Sequence, residues 1–325
     1  MKLPRRNFLH LAAGAAALPA VSRAAKAQTY PTRPVRLIVG APAGGGNDIV
    51  ARLMGQWLSE RLGQPFVTEN RPGGGSNIAT EAVVRSPADG YTLLLIFGAN
   101  AINVTLYEKL SFNLNRDIVP VAGITRVPEV MVANLSVPSR TIPEFISYAR
   151  ANPGKLNMAS SGIGTPSHLA GELFKMMTGV NIVHVPYRGT APALTDLLGG
   201  QVQMVFSTIP AAIQYIKAGT LRALAVTSTT RSEALPDLPT VADTVPGFES
   251  AQWYGIGAPA GTSADVIATL NREIKSGLAD PKIKTRLSDL GGVPLPMTPG
   301  EFGKFLADET ERWAKVIKAV GAKAK

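Results

Sequence analysis

The stretch from Val35 to Leu58 limits the folds open to this chain more than any other. An apolar run, Val35-Arg36-Leu37-Ile38-Val39, leads through Gly40-Ala41-Pro42-Ala43-Gly44-Gly45-Gly46-Asn47-Asp48 into a segment whose apolar residues Ile49, Val50, Leu53, Met54, Trp57 and Leu58 recur at helical spacing. This is a strand, a flexible loop and an amphipathic helix. Three consecutive glycines permit positive φ and set no Cβ in the way of a ligand. Asn47 or Asp48 is placed to cap the helix. A helix start leaves backbone N–H groups unpaired, and these, with the helix dipole, favour a carboxylate or a phosphate.

The unit repeats. Phe66–Asn70 reads as a strand, Arg71–Asn77 as a second glycine loop, and Ile78–Val84 as a helix. Tyr91–Phe97 is a continuous apolar strand of the kind covered by helices on both faces. The segment Val121–Asn134, punctuated by Gly123 and Pro128, is long and extended and suits a strand passing from one domain to another. A second series follows: strand Leu156–Ser160, loop Ser161-Gly162-Ile163-Gly164, and a helix with Thr165 as N-cap and Pro166 in its first position. Asn181–Pro186, Val202–Phe206 and Leu221–Val226 are further strands, and a short helix stops at Gly199-Gly200. Ser250–Ala258 is a second extended segment able to return to the first domain, and the tail from Ser263 is helical. The expected class is α/β, with mostly parallel sheets flanked by helices, in two lobes. Residues 28–126 with 250–325 would form lobe 1 and 127–249 lobe 2, the two crossing segments acting as a hinge. Ligands of such sheets bind beyond the carboxyl ends of the strands.

Composition narrows the chemistry. There is no cysteine, which excludes disulfides, thiolate catalysis and cysteine-ligated metals. The formal charge of +10 falls to +5, 28 bases against 23 acids, once Lys2, Arg5, Arg6, Arg23 and Lys26 are set aside. The remaining excess forms no basic run, so nucleic acid is not an expected partner, and a mild positive field suits small anions. At the amino terminus, Arg5-Arg6-Asn7-Phe8-Leu9 precedes an alanine-rich run, Leu11–Leu18, and Ala25-Lys26-Ala27 offers a cleavage site before Gln28. The pattern is an export signal of twin-arginine type over residues 1–27, with Pro4 and His10 departing from the usual flanks. It implies a periplasmic mature chain.

Catalytic signals are weak. Ser161 beside Gly162 is not in a Gly-x-Ser-x-Gly elbow, and Gly162-Ile163-Gly164 lacks the third glycine of a dinucleotide loop. With His10 in the signal, only His168 and His184 remain, too few for a histidine-rich metal site. His168 has two readings, donor to a ligand carboxylate or partner of the preceding loop. His184, alternating with apolar neighbours on a strand, reads as packed. Asp48 reads as a cap, since a bare carboxylate repels an anion.

Several blocks together resemble one family, the periplasmic substrate-binding proteins of tripartite tricarboxylate transporters, or Bug receptors. They are Tyr30–Val39, Gly44–Arg52, Asn70–Gly75, Pro87–Leu94, Ser160–Phe174 and His184–Leu194. The resemblance implies a type II-like periplasmic-binding-protein fold that closes on a carboxylate held by two opposed glycine loops. Carried over by position, one jaw comprises Ala41, Ala43, Gly44, Gly45, Gly46, Asn47 and Asp48. The other comprises Ser161, Gly162, Gly164, Thr165 and His168, with Tyr187, Gly189 and Ser207 lining the cleft. Position 41 is usually aromatic in similar sequences and position 207 commonly Asp; Ala41 should widen the pocket, and Ser207 disfavours a ligand ammonium group. A plain organic acid, aromatic or bulky, is the expected ligand. No catalytic residue, cofactor or metal is expected, and the chain should be a monomer serving membrane transporter subunits. A periplasmic enzyme acting on a carboxylate or ester, and a receptor serving a sensor kinase, are the alternatives.

Overall fold

The structure, a computed structural model, describes residues 30–187 and 189–323. The export signal expected over residues 1–27 lies outside them. The elements in chain order are β1 (Val35–Val39), α1 (Gly46–Leu62), β2 (Phe66–Asn70), α2 (Asn77–Val84), β3 (Thr92–Phe97), α3 (Gly98–Leu106), α4 (Leu114–Asp117) and β4 (Ile118–Asn134). Next come α5 (Ile142–Ala151), β5 (Asn157–Ser160), α6 (Pro166–Thr178), β6 (Val183–Pro186), α7 (Thr190–Leu198), β7 (Met204–Thr208), α8 (Ile209–Lys217) and β8 (Leu221–Val226). The chain closes with β9 (Ala251–Pro259), α9 (Ala264–Ala279), α10 (Pro281–Asp289), β10 (Val293–Pro294) and α11 (Pro299–Val320).

Strands run in the order β2-β1-β3-β9-β4-β7-β5-β6, with β8 and β10 also paired to β4. Each lobe is built on a parallel triplet, β2-β1-β3 in one and β7-β5-β6 in the other. Antiparallel β9 and β4 join the triplets into one curled sheet. β4 pairs with β9 from Ile118 to Pro128 and with β7 from Glu129 to Ala133, so it changes lobe between Pro128 and Glu129. The return is tied at the same level: Thr227 N–H donates to Glu129 O at 2.8 Å, and Ser250 N–H to Thr227 O at 3.1 Å.

The apolar strands are covered on both faces, as their unbroken hydrophobicity requires. In the first lobe Val50, Met54 and Leu58 of α1 and Ile267, Leu270 and Ile274 of α9 pack on one face. Ala79 and Val83 of α2 and Phe302 and Leu306 of α11 pack on the other. In the second lobe α7 and α8 cover one face, and α5 and α6 the other. The last helix serves both lobes: Trp313, Val316 and Ile317 are buried in the second core, beside Phe145 and Phe174. Glu309, 5% exposed, fixes it in place by accepting the indole N–H groups of Trp253 at 2.8 Å and Trp313 at 3.0 Å.

Candidate functional site

The two glycine loops face one cavity between the lobes, of about 640 Å³. In the first loop the N-cap is Gly45, with φ −83° and ψ 171°, and no side chain caps the helix. The expectation that Asn47 or Asp48 would be the cap is corrected: both lie inside the first turn. Asp48 instead reaches back, accepting Gly44 N–H at 2.9 Å and Arg52 Nε–H at 3.0 Å. Those bonds, the Arg52 guanidinium first, hold its carboxyl below the usual range against the opposing effect of burial. Gly44, at φ 81°, makes the turn that lets this happen. The N–H groups of Gly46 and Asn47 have no intrahelical partner, and Asn47 Nδ2 is buried without one.

The second loop is held far more completely. Ser161 N–H donates to Ser167 Oγ at 3.0 Å, Gly162 N–H to Ser160 Oγ at 3.2 Å, and Gly164 N–H to His168 Nδ1 at 3.1 Å. Thr165 Oγ1–H donates to Gly162 O at 2.7 Å, and Thr165 N–H to the same oxygen at 3.3 Å. Of the two readings of His168, the geometry takes the second: its ring is 5% exposed and braces the loop. His184 stacks on it with centroids 4.0 Å apart and meets Ser160 Oγ at 2.6 Å through Nε2. Burial, and then the Lys175 ammonium, pull His168 down to about 4. Burial, and then His168, do the same for His184.

His168, Glu172 and His184 bring potential metal ligands within 4.8 Å of one another. Each already has an atom engaged by the protein: His168 Nδ1 by Gly164 N–H, Glu172 Oε1 by Lys175 Nζ and His184 Nε2 by Ser160 Oγ. With Nδ1 of His168 accepting from Gly164, the proton belongs on Nε2, which faces Glu172 Oε1 at 3.7 Å, and Lys175 Nζ holds that oxygen at 2.7 Å. The cluster is a brace for the loop.

Of the residues expected to form the site, Gly46, Asn47, Ser161, Thr165 and Gly189 line the cavity. Ala41, Ala43, Gly44, Gly45, Asp48, Gly162, Gly164, His168, Tyr187 and Ser207 do not form its wall. Tyr187 donates its hydroxyl to Asp196 Oδ2 at 2.6 Å, and burial followed by that bond pushes it up to about 12. Ser207 is 1% exposed and donates to Thr208 O at 3.2 Å, so its neighbour Thr208 lines the cavity in its place. Ala41 packs against the first core while its carbonyl accepts from Asn70 Nδ2 at 3.0 Å.

Sequence reasoning did not single out Phe97, Ala99, Thr190, Thr208, Pro210, Gln252 or Tyr254. Several of these belong to helix starts. Gly46 and Asn47 open α1, Phe97 and Ala99 flank the start of α3, and Thr165 and Pro166 that of α6. Gly189 and Thr190 flank the start of α7, and Thr208 and Pro210 that of α8. Five helix N-termini thus meet at one cavity, and none of the described residues lining it carries a charge. The signal available in the sequence was the Thr208-Ile209-Pro210 helix start, which parallels Thr165-Pro166.

This fold and cavity define a two-lobed receptor of α/β type. The family model described as a tripartite tricarboxylate transporter family receptor matches residues 50–322, and the chain belongs to that family. It is 39% identical to Protein BugT of Bordetella pertussis over 302 residues, covering 92% of this chain and 93% of BugT. Among solved structures, R. palustris Rpa4515 with adipate superposes with a TM-score of 0.80 at 38% identity, covering 90% of this chain and 99% of that one. MatC (Rpa3494) from Rhodopseudomonas palustris with bound malate gives 0.76 at 32% identity, covering 89% and 100%. Among the described residues no helix is long and apolar enough to cross a membrane.

Proposed function

We infer that this chain is a periplasmic solute receptor that closes on a small organic carboxylate and delivers it to the membrane subunits of a tripartite tricarboxylate-type transporter. The observation that carries the reading is the convergence of five helix N-termini on a cavity whose described lining bears no charge. Each N-terminus contributes roughly half an elementary positive charge and unpaired N–H donors, so the field is anion-selective without a cationic side chain among the described lining residues. The bound adipate and malate of the two related structures fit that chemistry. The lobes, 28–126 with 250–325 and 127–249, close about the two crossings at Pro128–Glu129 and Thr227–Ser250, with α11 spanning both. The mature chain begins near Gln28 and acts as a monomer. No base and nucleophile pair lines the cavity among the described residues, which favours a receptor over an enzyme.

A thermal-shift screen of residues 28–325 against adipate, malate, tricarboxylates, aromatic acids and amino acids tests this. An acid at ~100 times its dissociation constant stabilises the fold by about 2.7 kcal/mol. The expected result is a selective shift by an acid that is recovered unchanged. No shift by any acid, with the protein folded and free of retained ligand, sinks the reading.

A further inference from the structure

Glu129 lies at the level where β4 changes lobes, opposite Thr208 of β7. Strand alternation puts its side chain on the same face as Val127, and both Val127 and Thr208 line the cavity. Glu129 is 1% exposed, and its Oε2 is buried with no hydrogen-bond partner among the described residues. Its backbone is clamped: Glu129 N–H donates to Thr227 Oγ1 at 2.7 Å, and Glu129 O accepts the Thr227 hydroxyl at 3.0 Å. The carboxyl therefore sits beneath the cleft at the hinge, held by both crossings.

Among the described residues its surroundings offer no countercharge. β7 presents Thr208, and Thr227 follows directly on β8; neither titrates in this range. β9 presents Tyr254, whose hydroxyl is held protonated by burial first and by Glu129 second. Arg126, three residues back and so on the other face of β4, is engaged with Glu249 at 2.6 Å. On the cavity wall, Val127, Thr208, Pro210 and Leu290 are uncharged. An unpaired carboxyl in such a place keeps its proton, and burial pushes Glu129 up to about 8.

We propose that Glu129 is a specificity-determining residue of the cleft, a neutral acid whose proton must be retained while an anion is bound, so that carboxylate capture is linked to protonation of the hinge. The proposal rests on the carboxylate-receptor reading above. A bound anion and an ionised Glu129 repel each other across a partly desolvated floor. Linkage is reciprocal: if the anion raises the affinity of Glu129 for its proton, the proton raises the affinity for the anion by the same factor. Below about pH 7 the residue is protonated in free and bound receptor alike, and affinity is flat. As pH rises past 8 the free receptor loses the proton that the complex keeps, and affinity falls. A ligand with an ammonium group at the floor behaves oppositely, binding better once Glu129 ionises. A neutral Glu129 offers such a ligand no counterion at pH 7, which selects plain acids. The window is clean, because His168 and His184 titrate near 4, while Asp48 lies below its ordinary value and Tyr254 above.

The test takes the acid giving the largest thermal shift in the screen and titrates it calorimetrically into the mature protein and E129Q from pH 7 to 9.5. At pH 8.5 the titration is repeated in Tris and in triethanolamine, cationic buffers of different ionisation enthalpy, to count protons. Wild type should bind roughly tenfold more weakly at pH 9.5 than at pH 7, with net proton uptake at pH 8.5. E129Q, which keeps the neutral shape, should bind with flat affinity and take up no proton. The same profile in both proteins overturns the proposal, as does affinity that rises with pH. If E129Q does not fold, proton uptake by wild type decides alone, and zero uptake overturns the proposal. A flat wild-type profile removes the role of Glu129 and leaves the receptor intact. No acid binding at pH 7 removes the receptor reading itself.

Discussion

The two glycine loops occupy corresponding places in their lobes and are built to opposite ends. The loop at Ser161–Thr165 has four of its five N–H groups committed internally, to Ser167, Ser160, His168 and Gly162 O, over a pair of stacked imidazoles, one buried and one half-buried. The loop at Pro42–Gly46 is exposed and is held by one carboxylate, Asp48, while Gly46 and Asn47 open a helix whose cap makes no side-chain bond. The second jaw spends its loop donors on its own shape and offers only the start of α6; the first keeps its loop donors free for a ligand. A cleft needs both, because a donor that has already found a partner in the protein has little to offer a ligand.

Acid should break the second jaw first. Each histidine has its folded pKa near 4, below the value near 6.5 of the unfolded chain. Their stabilisation is fully present above pH 6.5 and is lost as pH falls through 4, since the unfolded chain takes up the protons first. For His168 the loss is up to about 1.4 kcal/mol per pH unit across that window, and for the more accessible His184 it is less. Glu129 works in the opposite sense: its folded pKa is raised, so its contribution is largest below its unfolded value and fades as pH climbs through 8. Urea midpoints of wild type and a His168→Asn, His184→Gln variant, compared from pH 7 to 4.5, isolate the histidines. Parallel curves would mean that the stacked rings do not govern acid stability.

His168→Ala at neutral pH should cost about 2–4 kcal/mol, by emptying a packed site and leaving Gly164 N–H unpaired. Ligand affinity should fall with it, because Thr165 and Pro166 lose their support. The loop glycines sharpen the contrast. Gly164 has φ 76°, and a Cβ there would meet Leu106 Cδ2 at 2.5 Å; Gly44 has φ 81° and nothing within 4 Å. G164A should therefore cost about 2–3 kcal/mol, strain plus overpacking, and G44A only the left-handed strain of about 1 kcal/mol. Equal losses in chemical denaturation would mean that the jaws are equally packed.

Much of this was legible. Val35–Val39 is an apolar run that only a strand covered on both faces accommodates, and the strand ran as expected. The long segment ending at Asn134 was readable as a crossing because no single lobe needs so extended a strand. The α3 helix was not, for Gly98-Ala99-Asn100-Ala101-Ile102-Asn103-Val104-Thr105-Leu106 mixes glycine, asparagine and β-branched residues of low helix propensity. Side-chain bonds sustain it: Asn100 Oδ1 caps the helix by accepting Phe97 N–H at 2.9 Å, and Asn103 Nδ2 donates across to Gly75 O at 2.7 Å. The site was half visible. Glycine loops announce themselves, whereas Tyr254 and Gln252 reach the cavity through the register of β9 on β4, a long-range pairing that local pattern does not encode.

The smallest expected effect belongs to the first jaw. Asp48→Asn keeps an oxygen for Gly44 N–H and removes only the charge that draws Arg52, whose side chain is 54% exposed. Screening at that exposure limits the stability loss to about 0.5–1 kcal/mol. Binding should respond differently. Asp48 is in the first turn of the helix whose Gly46 and Asn47 face the cavity, and its negative charge opposes an incoming anion there. Asp48→Asn is therefore expected to lower stability slightly in denaturant while leaving acid affinity unchanged or modestly higher at low salt, the gain vanishing at 1 M salt as screening removes it. A loss of affinity larger than the loss of stability would show that Asp48 shapes the first jaw for its ligand, and the contrast between a braced jaw and a free one would then have to be withdrawn.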